Sequence, residues 1–104
     1  MSSLFSSKTN DINLSVAELR EMAQAVLIDV RSPEEYAEGH IPDSVNLPLN
    51  RLAAIDYAKD IPLFVYCRSG ARSKRACTLL SQIGYNVTDL GGISAYSGQI
   101  EKGV

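Results

Sequence analysis

Leu63-Phe64-Val65-Tyr66-Cys67-Arg68-Ser69-Gly70-Ala71-Arg72 is the stretch that decides the fold. Its apolar, strand-favouring first half is too short for a helix and suits a strand buried on both faces of a parallel sheet. The polar loop Cys67 to Arg72 then runs straight into a segment in which Ala76, Leu79, Leu80 and Ile83 recur at the helical period, with Gly84 as the stop. A strand, a short loop and a helix in that order make one unit of an α/β fold.

The same unit repeats upstream. Val26 to Val30 is a second continuous apolar run broken only by Asp29, and Ser32-Pro33-Glu34-Glu35 is a capping box with proline at the first helical position. That spacing predicts a brief helix to Glu38, ended by Gly39. Ile41-Pro42-Asp43 reads as a turn, Ser44 to Leu47 as a short strand, and Leu49 to Ala58 as a helix with Leu52 and Ile55 inward. Downstream, Val87 to Leu90 reads as a strand, Gly91-Gly92 as a turn and Ile93 to Lys102 as a weak final helix. Near the start, Ser15 and Glu18 form another capping-box pattern before a helix over 16–24, and the Ser-rich residues 1–11 read as a flexible tail. The expectation is one domain over 12–104: an open, mostly parallel, twisted α/β sheet of four or five strands with helices on both faces.

Composition agrees with one globular domain: 104 residues, 45% hydrophobic and 21% charged. Two cysteines ten residues apart and one histidine argue against a disulfide scaffold or a zinc framework, so no metal or cofactor is expected. The longest apolar runs are too short to span a bilayer and the opening MSSLFSSKTN has no signal-peptide pattern. The reading is a cytoplasmic protein without a membrane partner.

Charge is distributed unevenly. The chain carries a net −2, yet residues 67–75 hold Arg68, Arg72, Lys74 and Arg75 and no acid, while residues 1–66 hold five basic against ten acidic side chains. The overall sign disfavours a general nucleic-acid role. The single basic cluster surrounds the single loop cysteine, at the carboxyl end of a central strand where sites of open α/β sheets lie. Backbone N–H groups of Arg68 to Arg72, with Gly70 giving conformational freedom and a helix N-terminus behind, would cradle an anion and favour a thiolate at Cys67. The bland reading, Cys67 as a small buried strand residue, leaves this surround unexplained.

Three pieces, VLIDVRSPEEYAEGHIPDSVNLPL (26–49), FVYCRSGARS (64–73) and LGG (90–92), resemble those of a single-domain rhodanese, a sulfurtransferase family. The resemblance spans residues 12 to about 96. It implies a rhodanese-like fold and a thiosulfate sulfurtransferase activity. The Cys67 thiolate would take sulfane sulfur from a small anionic donor such as thiosulfate, hold it as a persulfide, and pass it to cyanide or a thiol. A sulfur-relay or thioredoxin-like protein is a further implied partner. Cys67 is the implied catalytic residue, with Arg68, Ser69, Gly70, Ala71 and Arg72 as the persulfide-binding loop and Arg68 and Arg72 supplying charge. A non-catalytic binding module of the family, and a cysteine phosphatase or arsenate reductase, are the alternatives. Phosphatases place five residues between cysteine and arginine, whereas Cys67 and Arg72 enclose four.

Other polar residues have structural readings. His40 orients the loop after the short helix, Asp29 and Arg31 form a polar pair, Cys77 is core, and Lys74 and Arg75 solvate a helix face. Two departures from the family stand out: Tyr96 where tryptophan is common, and Asp43 where glycine is common.

Overall fold

A computed structural model describes residues 11–103. The described residues form α1 (Ile12–Leu19), β1 (Val26–Asp29), α2 (Pro33–Glu38), β2 (Val45–Asn46), β3 (Leu63–Cys67), α3 (Ala71–Gln82) and β4 (Val87–Gly92), with 3₁₀ turns at Leu49–Ala54 and Ile93–Ala95. All strand pairings are parallel and the order is β2-β1-β3-β4. The chain leaves β1 towards one edge of the sheet and β3 towards the other, so a crevice opens between their carboxyl ends.

Every residue of β3 is buried, as its unbroken apolar run requires. Its alternate side chains feed two cores. Leu63, Val65 and Cys67 join Ile28, Val30, Leu52, Ala76, Leu80 and Tyr85 on the α3 face. Phe64 and Tyr66 join Ile12, Val16, Leu19, Leu27, Ile41 and Leu90 on the α1 face. Helices therefore cover both faces, and burying each of these larger aliphatic side chains contributes about 1.5–3 kcal/mol.

The capping box at α2 forms in full: Ser32 Oγ accepts from Glu35 N at 3.2 Å and Glu35 Oε1 accepts from Ser32 N at 3.0 Å. The expected boundaries need correction elsewhere. The tail read for residues 1–11 lies outside the described residues except Asp11, whose carboxylate accepts from Asn13 N and caps α1. Helix α1 thus starts at Ile12 instead of 16, because Ile12 is itself core, and it ends at Leu19. The helix expected over Leu49 to Ala58 is a 3₁₀ segment kinked at Arg51 and finished by Ala54; its start stays tied to the residue that follows β1 through Leu49 N to Val30 O at 3.0 Å. In α3, Ala76 and Leu80 are buried but Leu79 and Ile83 face solvent.

The Gly91-Gly92 turn is the most consequential correction, because both glycines belong to β4. Val65 pairs with Asp89 but Tyr66 pairs with Gly91, so Leu90 is an extra residue, a bulge that brings Gly91 and Gly92 alongside Tyr66 and Cys67. The final helix expected to Lys102 stops at Ala95; the tail instead runs back beside α2, with His40 and Glu101 exchanging backbone hydrogen bonds at 2.8 and 2.9 Å. Asp43 adopts φ +73°, the left-handed region, which gives a physical reason for glycine being common at that place.

Candidate active site

Cys67 ends β3, and its side chain sits on the α3 face with 1% of the residue exposed. The chain then wraps over the sulfur. Gly70, at φ +114°, points its N–H at Cys67 Sγ from 3.0 Å and leads into α3. A side chain at Gly70 would be strained in this conformation.

The loop is pinned from below by β4. A Cβ on Gly92 would lie 2.3 Å from the Arg68 carbonyl oxygen and 2.6 Å from Ser69 Cα, so only glycine lets the strand pass beneath the loop. Ser94 N adds a hydrogen bond to Arg68 O at 3.2 Å. Ser73, fully buried, donates to Asp89 Oδ1 at 2.7 Å, and Asp89 Oδ1 also accepts from Gly91 N at 2.9 Å, which anchors the first turn of α3 to the bulge.

Burial of Cys67 pushes its thiol pKa up, but Ser73, whose hydroxyl and N–H lie beside the sulfur, and the N–H groups of Gly70 and Arg72 outweigh it. The thiol is held below its ordinary value. Arg72 lies at the rim in a bidentate pair with Glu35, Nη1 to Oε1 at 2.7 Å and Nη2 to Oε2 at 2.9 Å. Arg68 is largely exposed, with Nη1 3.9 Å from Glu35 Oε2. Bonding to Arg72 holds the Glu35 carboxyl down at about 2, against burial. Clefts of about 310 Å³, lined in part by Arg31, Glu35, Arg68 and Ser94, and about 500 Å³, lined in part by Ser32, Asn50, Arg72 and Arg75, flank the loop.

The structure gathers Cys67 through Arg72 into one loop, with Arg72 already paired. Glu35, Ser73 and Gly92 belong to the same site and were not among its expected members. Glu35 was legible as a cap and Gly92 as a turn, but their second partners are residues 37 and 24 positions away, a distance no local pattern spans. The remaining polar residues have structural partners. Asp29 and Arg31 form a buried pair at 2.7 Å, and Arg31 also reaches Gly39 O. His40 stacks on Tyr36 at 3.7 Å, its Nδ1 2.8 Å from Tyr36 O. Cys77 is half-buried against the α3-side core, where burial pushes its thiol up to about 12. Among the described residues no group of three or more His, Cys, Asp or Glu side chains gathers as a metal site, and no helix is long and apolar enough to cross a membrane.

A thiol at a strand end under a loop N–H donor suits nucleophilic chemistry on an anion. The model of the rhodanese-like domain covers residues 15–99. The chain belongs to the rhodanese-like domain family. Among its rhodanese relatives, a protein of Allochromatium vinosum named sulfurtransferase is 42% identical over 76% of this chain and 78% of its own length. The adenylyltransferase and sulfurtransferase uba4 of Ogataea parapolymorpha is 38% identical over 88% of this chain, which spans a quarter of that longer protein. A solved structure described as a rhodanese with anions from E. coli has a TM-score of 0.67 at 34% identity, covering 76% of this chain and 99% of that one. The four-stranded parallel sheet flanked by helices is thus a rhodanese fold.

Proposed function

We propose that this rhodanese-like chain is a sulfurtransferase whose working group is the Cys67 thiolate. The observation that carries the reading is the lowered thiol at a strand end, capped by the Gly70 N–H at 3.0 Å. With thiosulfate as donor, Cys67–S⁻ attacks the outer sulfane sulfur. A new S–S bond forms as the donor's S–S bond breaks, sulfite leaves with its electron pair, and Cys67–S–S⁻ remains. An acceptor thiolate or cyanide then attacks the terminal sulfur and regenerates Cys67–S⁻. No proton moves in the first step, so no general base is needed and His40 keeps its structural role. The backbone N–H groups of Ser69 to Arg72 receive the persulfide anion, and Arg68 and Arg72 offset part of its charge.

The names of its relatives support sulfur transfer, and the pairing of sulfurtransferase with adenylyltransferase in one relative supports a sulfur-relay protein or a thioredoxin-like thiol as acceptor. A cycle through free thiol and persulfide suits a reducing compartment such as the cytoplasm. The test is the intact mass of the protein after thiosulfate and desalting, beside Cys67→Ser. The expected result is a gain of one sulfur atom, reversed by cyanide and absent in the variant. A sulfur gain in Cys67→Ser, or none in the wild type from either thiosulfate or an organic persulfide with Cys67 free and reactive, would sink the proposal.

A further inference from the structure

At the mouth of the Cys67 loop two cations face one carboxylate. Glu35 places both oxygens on Arg72, at 2.7 and 2.9 Å, and Oε2 is 3.9 Å from Arg68. The carboxylate has no freedom to swing away, because Oε1 also accepts from Ser32 N at 3.0 Å and would uncap α2 if it left. It belongs to the helix after β1 and its partner to the helix after β3, so the pair closes the crevice from side to side. It is ionised at any working pH, since Arg72 holds its carboxyl at about 2.

The consequence is a charge balance at the reacting sulfur. Arg68 and Arg72 bring two positive charges, Glu35 removes one and the Cys67 thiolate the other, and Arg68, with 71% of its side chain exposed, is screened by water. Attack of a thiolate on thiosulfate gathers three negative charges over this cradle. Attack on an organic persulfide gathers one: Cys67–S⁻ + R–S–SH → Cys67–S–SH + R–S⁻. There the donor's S–S bond breaks as the new one forms, the proton rides on the transferred sulfur through the step and is then released to solvent to leave Cys67–S–S⁻, and no oxidant is required.

We infer that Glu35 is a specificity-determining residue that tunes this site to sulfane donors carrying at most one charge, organic persulfides, over dianions such as thiosulfate. The inference rests on the sulfurtransferase reading for its substrate but not for its electrostatics, and the two are measured separately.

The electrostatic arm follows alkylation of Cys67 by neutral iodoacetamide, with sulfate as dianionic probe and thiocyanate as monoanionic probe. In the wild type thiocyanate should protect at the lower concentration. Glu35→Gln, which keeps an oxygen for Ser32 N, should strengthen protection by sulfate about three- to tenfold and by thiocyanate only by about the square root of that factor. Glu35→Asp keeps the charge and should hold the sulfate-to-thiocyanate ratio within about twofold of wild type. So should Glu34→Gln, which removes an exposed charge one residue away. The inference is overturned if Glu35→Gln leaves that ratio unchanged or weakens both probes alike, if Glu35→Asp or Glu34→Gln matches it, or if sulfate protects the wild type better than thiocyanate. The substrate arm reads sulfur gain by mass: Glu35→Gln should load faster from dilute thiosulfate by a similar factor, with loading from cysteine persulfide changed less than about twofold. A wild type that loads from neither donor would count against the sulfurtransferase reading while the alkylation ratios still decide the role of Glu35.

Discussion

Cys67 and Cys77 face the same core from two kinds of backbone, and their thiols move in opposite directions. Both lose water, which raises a thiol pKa. Cys77, inside α3, stands where the helix has already used its N–H groups, and nothing offsets the loss. Cys67 stands just before α3, where N–H groups at the start of the helix have no partner within it; that of Gly70 donates to the sulfur at 3.0 Å, and those of Arg72 and Ser73 help to hold the thiol down. The opposite directions of the two thiol pKa values thus follow from the donors around Cys67 and their lack around Cys77.

Disturbing the loop around Cys67, or the packing of Cys77, tests that contrast. The largest effect is expected from Gly92→Ala, whose methyl would collide with the Arg68 carbonyl and lift the loop. Sulfur loading of Cys67 should fall at least about tenfold, and denaturant unfolding should show a loss of about 1–3 kcal/mol. Wild-type loading would mean that the loop needs no support from β4.

Ser73→Ala removes the hydroxyl beside the sulfur together with its anchor to Asp89. It should move the midpoint of the pH profile of Cys67 alkylation upward and slow the reaction at pH 7 by roughly threefold or more, with Cys77 unaffected. An unchanged Cys67 profile would leave backbone N–H groups as the whole cause.

Acid should act on the Cys67 side through Glu35. Folding lowers its pKa, so its stabilisation is present above the unfolded value near 4.3 and is lost as pH falls towards 2. After discounting for the partly exposed Arg72, that amounts to about 1–2 kcal/mol. Unfolding free energy measured from pH 5 to 2 should fall by that much less in Glu35→Gln than in wild type; parallel curves would assign the acid loss to other carboxylates.

The smallest effect belongs to Cys77→Ala. Sulfur loading and turnover should stay within about twofold, with about 1 kcal/mol lost from packing. A large activity loss in a folded variant would make Cys77 a second working thiol and end the contrast.

Much of this was open to reading along the chain because its causes are local. The run Leu63 to Tyr66 has too little length and too much β-branching and aromatic character for anything but a buried strand, and Ser32 to Glu35 closes a cap through neighbours three residues apart. The loop and its basic cluster are contiguous, so both could be placed around Cys67 from the letters alone. Other features were hidden because the sequence admits equal rivals. Asp11 and Ser15 are both good N-caps, and Ile12 entering the core decides between them. A Gly-Gly pair suits a turn as well as a strand that must run beneath another loop. Ile93 to Lys102 could begin a helix, but the hydrogen bonds from His40 to Glu101 draw the chain out of it.

The α/β alternation, the parallel sheet and the setting of a basic cluster beside Cys67 are written in the letters, since periodicity, capping and charge clustering act over a few residues. The tertiary structure alone decided that Arg72 is spoken for by Glu35, that Ser73 leans on Asp89, and that Gly92 passes under Arg68. Each of these joins segments that meet only because β1, β3 and β4 end side by side. A carboxylate or a hydroxyl can choose among many partners until folding brings one within 3 Å.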